Sequence, residues 1–146
     1  MILCDMRRRL LASFAALGLL QLPRPARAQA PARAQRLLIQ ISDENPKVWG
    51  LALANARNVR HDLGPANVQL EIVVYGPAIR MLTAESEWRD RVTQVLDEGI
   101  RVIACENTMT TLGLKRDDML GGVDFVKTGL AHVMRRELEG WAYARP

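Results

Sequence analysis

Leu37-Leu38-Ile39-Gln40-Ile41-Ser42-Asp43-Glu44-Asn45-Pro46 is the stretch on which the fold class turns. Its first six residues form a short, nearly continuous apolar run, the pattern of a strand buried on both faces. Asn45 then supplies an N-cap, and Pro46 a fixed φ suited to the first helical position. Val48, Leu51, Ala52, Ala56, Val59 and Leu63 recur at three-to-four spacing, which predicts a helix over 46–63 with one stripe against a sheet, ended by Gly64-Pro65.

Outward from that unit the pattern repeats. Val68-Gln69-Leu70-Glu71-Ile72-Val73-Val74-Tyr75 reads as a second strand, broken by Gly76-Pro77 and followed by a short helical turn through Leu82. Residues 87–98 read as an amphipathic helix with Trp88, Val92, Val95 and Leu96 inward and Gly99 as its stop. Ile100-Arg101-Val102-Ile103-Ala104-Cys105 is a third strand, 107–112 a short helix, Val123-Asp124-Phe125-Val126 a fourth strand and 130–139 the last long helix. Trp141-Ala142-Tyr143 reads as an edge strand. Strands alternating with helices predict an α/β fold of three layers, α/β/α, around a mostly parallel sheet of about five strands.

The chain has 146 residues, enough for one ordinary domain and not two. Its 20 basic against 16 acidic residues suggest a nucleic-acid or membrane-surface partner until their positions are considered. Residues 1–28 hold five arginines and one acid, which leaves fifteen of each sign from residue 29 onward. The basic excess belongs to the N-terminus, so neither nucleic acid nor a membrane is expected as a partner of the rest. Arg7-Arg8-Arg9, the apolar run 10–20 and the closing Ala26-Arg27-Ala28 read as a secretory signal peptide over 1–28, shorter in its apolar part than a spanning helix requires. Arg7-Arg8-x-Leu10-Leu11 also fits the twin-arginine route beside the general one, and an uncleaved anchor is the competing interpretation. The expectation is a periplasmic protein with a flexible linker over 29–35 and a folded domain over 36–146. Cys4 leaves with the signal, so the mature chain retains Cys105 alone and forms no internal disulfide.

Ligands of open α/β sheets bind beyond the carboxyl ends of the strands. Three segments reach that edge: Ser42-Asp43-Glu44-Asn45, Tyr75-Gly76-Pro77 and Cys105-Glu106-Asn107-Thr108. Cys105 ends a strand just before a helix whose free N–H groups favour a thiolate. Asn107 or Thr108 can cap that helix and donate to sulfur, whereas the Glu106 carboxylate opposes a thiolate. The alternative is a small buried hydrophobe that completes its strand. His61 and His132 lie far apart with no ligand spacing, so no metal is expected.

Three stretches resemble the DsrE/DsrF-like family. They are Gly99-Ile100-Arg101-Val102-Ile103-Ala104-Cys105-Glu106-Asn107-Thr108-Met109, then Val73-Val74-Tyr75-Gly76-Pro77-Ala78-Ile79, and the ending Glu139-Gly140-Trp141-Ala142-Tyr143-Ala144-Arg145-Pro146. The resemblance covers the chain from Arg36 onward. It implies the three-layer fold, assembly of the chain with itself as a homotrimer or homohexamer, and a cysteine that carries sulfur as a persulfide. By position that cysteine is Cys105, with Asn107 and Thr108 as its local shell and no cofactor. The chain departs from similar members in having Tyr75 where they often carry a histidine before Gly-Pro, and in its export segment, since the well-understood carriers are cytoplasmic.

The expected function is therefore an exported DsrE-like sulfur carrier or sulfurtransferase-type protein. Cys105 would be the nucleophile, Asn107, Thr108, Asn45, Tyr75 and Gly76 the binding residues, and a thiol or sulfane-sulfur compound the donor or acceptor. A second expectation is a non-catalytic oligomeric module that binds a small ligand and keeps Cys105 as a structural residue. A third is an assembly subunit built around Trp141 and Tyr143.

Overall fold

A computed structural model describes residues 35–146. The expected signal peptide and all but the last residue of the expected linker lie outside them. Five strands, β1 (Gln35–Ile41), β2 (Val68–Val74), β3 (Arg101–Cys105), β4 (Asp124–Val126) and β5 (Ala142–Ala144), form one sheet in the order β4-β3-β2-β1-β5. Every pairing is parallel. Four α-helices accompany them: α1 (Pro46–Leu63), α2 (Arg89–Asp97), α3 (Glu106–Thr111) and α4 (Gly129–Leu138). A 3-10 segment covers Gly76–Leu82 after β2. The α/β/α reading from sequence stands.

The strand order explains the layers. From β1 to β4 the chain steps one way across the sheet, and right-handed crossovers then place their connecting helices on one face. The last connection runs back from β4 past β1 to β5, so its helix α4 must cross on the opposite face. Side-chain alternation agrees. Leu70, Ile72 and Val74 of β2 join the large core with α1, α2 and the 3-10 segment, while Val73 points to the other face with Leu38, Ile103, Val133 and Trp141. That second core holds far fewer residues, because α4 alone covers it.

Local details depart from the sequence pattern in several places. β1 opens at Gln35, inside the expected linker, because its N–H donates to Asn67 O at 2.8 Å. The buried stripe of α1 is Trp49, Ala52, Leu53 and Ala56, and Leu51, expected inward, is 51% exposed. Trp49 turns the stripe: its Nε1 donates to Asp43 O at 2.6 Å and its ring meets Trp88 edge-on at 5.7 Å. Finally, α4 begins at Gly129, one residue earlier than its apolar period indicates.

Candidate functional site

β3 leads into α3 on the large-core face, and β4 into α4 on the other. Neighbouring strands whose chains leave toward opposite faces open a crevice between their carboxyl ends. Cys105 and Val126 are register partners at that point. Cys105 is the N-cap of α3 and is 4% exposed.

The thiol is held from two directions. The Gly129 N–H, free at the start of α4, donates to Cys105 Sγ at 3.2 Å, and in the protonated form S–H faces Lys127 O at 3.9 Å. Thr108 stands on the other side. Its Oγ1 accepts the Gly76 N–H at 3.1 Å. Burial pushes the Cys105 thiol up. The Thr108 hydroxyl, then the amides of Thr108, Gly129 and Asn107, outweigh it and bring the thiol below its ordinary value. The amides of Asn107 and Thr108 lie beyond normal hydrogen-bond geometry to Sγ, so the Gly129 contact is the best-formed one.

Glu106, expected to oppose a thiolate, is engaged by Arg116, with Nε at 3.0 Å from Oε1 and Nη2 on the same oxygen. The guanidinium offsets its charge. Neither Asn107 nor Thr108 caps α3, because the helix starts one residue earlier than expected and Cys105 takes the cap position. The Asn107 carboxamide instead donates to Thr128 Oγ1 at 3.0 Å, and its backbone N–H to Lys127 O at 3.1 Å. Both bonds tie the start of α3 to the turn that opens α4.

Tyr75 and Gly76 also meet at this edge. Gly76 has φ +58, and a Cβ there would come within 3.2 Å of Ser42 O, so glycine is required for the chain to turn under β1 and deliver its N–H to Thr108. The Tyr75 ring packs on Gly129, and burial, then nearby Tyr143, raises its phenol above the ordinary value. Asn45 is spent elsewhere: its Oδ1 accepts Lys47 N–H at 3.0 Å and caps α1. Beside this cluster lies a cavity of about 520 Å³, lined among others by Gly76, Asn107 and Thr108 but not by Cys105, Asn45 or Tyr75.

No protein-family model and no curated protein matches the chain. A solved structure, a protein of unknown function, MTH1491, from Methanobacterium thermoautotrophicum, is 37% identical, with a TM-score of 0.73 over 77% of this chain and 99% of its own. The chain belongs to the MTH1491 family. The conserved protein of unknown function BT1422 from Bacteroides thetaiotaomicron is similar in fold, with 15% identity, TM-score 0.65, and coverage of 81% of this chain and 100% of its own. So is the ychN protein from E. coli, with 12% identity, TM-score 0.61, and coverage of 77% and 98%.

Two features of this MTH1491-family chain escaped the sequence reading. One is Gly129: a Cβ there would stand 2.8 Å from Tyr75 Cδ1 and 3.3 Å from Cys105 Cβ, so only glycine lets α4 start against the thiol. The other is a buried charge cluster under α4. Glu71, 1% exposed, accepts His132 Nε2–H at 2.8 Å and both Arg136 Nε and Nη2, at 2.8 and 2.7 Å, with Arg101 on its outer oxygen. Burial raises the Glu71 pKa, but the hydrogen bonds from Arg136 and His132 and the charges of Arg136 and Arg101 outweigh it and hold the carboxyl below the usual range. His132, considered above only for metal ligation, is thus a partner of Glu71. Trp141 is buried within the chain, with the guanidinium groups of Arg36 and Arg136 at 5.5 and 4.8 Å from its ring centroid.

Proposed function

We propose that this protein is a DsrE/DsrF-like sulfur carrier, exported to the periplasm, in which Cys105 accepts, holds and passes on sulfane sulfur. One observation carries the reading: a strand-end thiol receives the Gly129 N–H and sits below its ordinary pKa despite burial. A buried cysteine serving only as packing would have its thiolate disfavoured. The three-layer parallel fold agrees with the resemblance that suggested the role.

In the proposed reaction the Cys105 thiolate attacks the outer sulfur of a persulfide or polysulfide. The donor S–S bond breaks, its electron pair leaves with the donor thiolate, and a persulfide remains on Cys105 until a second thiol removes the sulfur. No cofactor takes part. Self-assembly, as a trimer or hexamer, is part of the proposal; the exposed row Leu130, Met134 and Leu138 along α4 supports it.

Intact-protein mass spectrometry after polysulfide treatment is the test. The expected result is a reductant-labile gain of about 32 Da per sulfur on Cys105, absent in Cys105→Ser. Gain that persists in the mutant, or none in the wild type, rejects the carrier reading. The second reading, a binding module with a structural cysteine, draws support from a cavity that Cys105 does not line. It predicts equal ligand retention by wild type and Cys105→Ala.

A further inference from the structure

The cavity beside Cys105 carries two charges of opposite sign. Glu44 reaches it from the β1–α1 loop and Arg80 from the 3-10 segment after β2. Two other acids at this edge are paired, Asp43 with Arg145 at 3.2 Å and Glu106 with Arg116. Among the described residues, neither Glu44 nor Arg80 makes an ion pair or a side-chain hydrogen bond, and they do not pair with each other across the cavity. Pro77 and Leu112 give it apolar walls, and about 520 Å³ is within the range of small-molecule sites. Thr108 connects cavity and thiol, since it lines the one and stands in the first turn of the helix that Cys105 caps.

We infer that this cavity holds the zwitterionic end of an α-amino-acid persulfide, with the carboxylate at Arg80 and the ammonium at Glu44, and that this class of compound is the donor that loads Cys105. The inference rests on the sulfur-carrier reading and names its substrate class. A guanidinium and a carboxylate facing one space complement the two charges of an amino acid, and each pairing is a charge-assisted hydrogen bond. A thiol 4% exposed admits only a slim reactant, and the terminal S–S–H arm of a persulfide is one. The step balances: Cys105 Sγ bonds the outer sulfur, the donor S–S bond breaks, the amino-acid thiolate leaves with the electron pair, and it takes up the proton that Cys105 released. Nothing is oxidised or reduced overall.

The test compares loading rates at Cys105, in the purified chain carrying Cys4→Ser, from four donors: cysteine persulfide, mercaptopropionate persulfide without the ammonium, cysteamine persulfide without the carboxylate, and inorganic polysulfide. Cysteine persulfide is expected to load about tenfold faster than either truncated donor, the scale of one charge-assisted bond. Arg80→Gln should erase its advantage over cysteamine persulfide, and Glu44→Gln its advantage over mercaptopropionate persulfide, with polysulfide rates unchanged in both. Binding of unreactive S-methylcysteine, followed by NMR titration, should weaken in both variants. Equal rates from the three organic donors, or variants that leave cysteine persulfide loading untouched, overturn the inference while polysulfide loading upholds the carrier reading. Binding of S-methylcysteine that depends on Arg80, with no donor loading Cys105, rejects the carrier reading and leaves an amino-acid site.

Discussion

At Cys105 a donor from each of two chain segments decides the acidity of one sulfur. Burial alone would keep the thiol protonated at neutral pH; the Thr108 hydroxyl and the amides of Thr108, Gly129 and Asn107 reverse that. The rate of alkylation by iodoacetamide should therefore rise with pH through a midpoint below that of a free cysteine. Thr108→Val removes that hydroxyl and leaves burial in place, so the midpoint should move up and the rate at pH 7 fall about three- to tenfold, the scale of one ordinary hydrogen bond. Gly129→Ala should act in the same direction by forcing a methyl group against Tyr75. A profile unchanged in both variants would show that neither group sets the thiol pKa. Cys105 was legible as a candidate because an apolar run ends on it just before a helix. Gly129 was not, because its partner lies 24 positions earlier and nothing local in Thr128-Gly129-Leu130 signals the approach.

Among the elements, α1 and α4 show what a sequence does and does not reveal. Asn45-Pro46 fixed the start of α1, since cap and proline chemistry are local. Asn45→Ala should lower stability by about 1 kcal/mol in urea denaturation, the usual loss for a helix cap. The anchoring of α4 was hidden. Glu71 reads as an ordinary strand residue in an apolar run, and its partners lie 61 and 65 positions away on α4. Once the helix is docked, the buried carboxylate is shared by His132, Arg136 and Arg101, of which Arg136 also pairs with Glu139 and Arg101 with Asp124, each at 2.8 Å. Glu71→Gln should destabilise the domain by about 2 kcal/mol, since it weakens hydrogen bonds to a buried charge while Arg136 and Arg101 keep Glu139 and Asp124. The pH dependence follows from the lowered pKa. Glu71 contributes its full stabilisation above the pKa of an unfolded glutamate. That contribution declines as pH falls below that value, because the unfolded chain takes up the proton first, and it is gone below the folded pKa. Chemical denaturation repeated from pH 7 down to pH 3 should show a smaller acid dependence in Glu71→Gln than in the wild type.

Over the whole domain the two faces of the sheet are unequal. One lies under α1, α2 and α3 with a large core, the other under α4 with a few apolar residues and a charge cluster. Leu130, Met134 and Leu138, at 62, 58 and 81% exposure, run along the outer side of that single helix. If copies assemble there, Met134→Glu should reduce the mass measured by light scattering to that of one chain; an unchanged mass places the assembly surface elsewhere. The thin layer also affects the thiol. α4 buries only Gly129, His132 and Val133 and is held otherwise by the Glu71 charge cluster, so its opening is a local event that hydrogen exchange can time. When it lifts, Cys105 gains access to solvent and loses the Gly129 N–H in the same motion. Burial, the larger influence, is relieved along with that hydrogen bond, so the opened state presents a sulfur that is reachable and no longer carries the desolvation that opposes its thiolate. Cys105 is in that respect a clock for the breathing of α4, and its labelling kinetics time a motion that no spectroscopic probe has to be added to see.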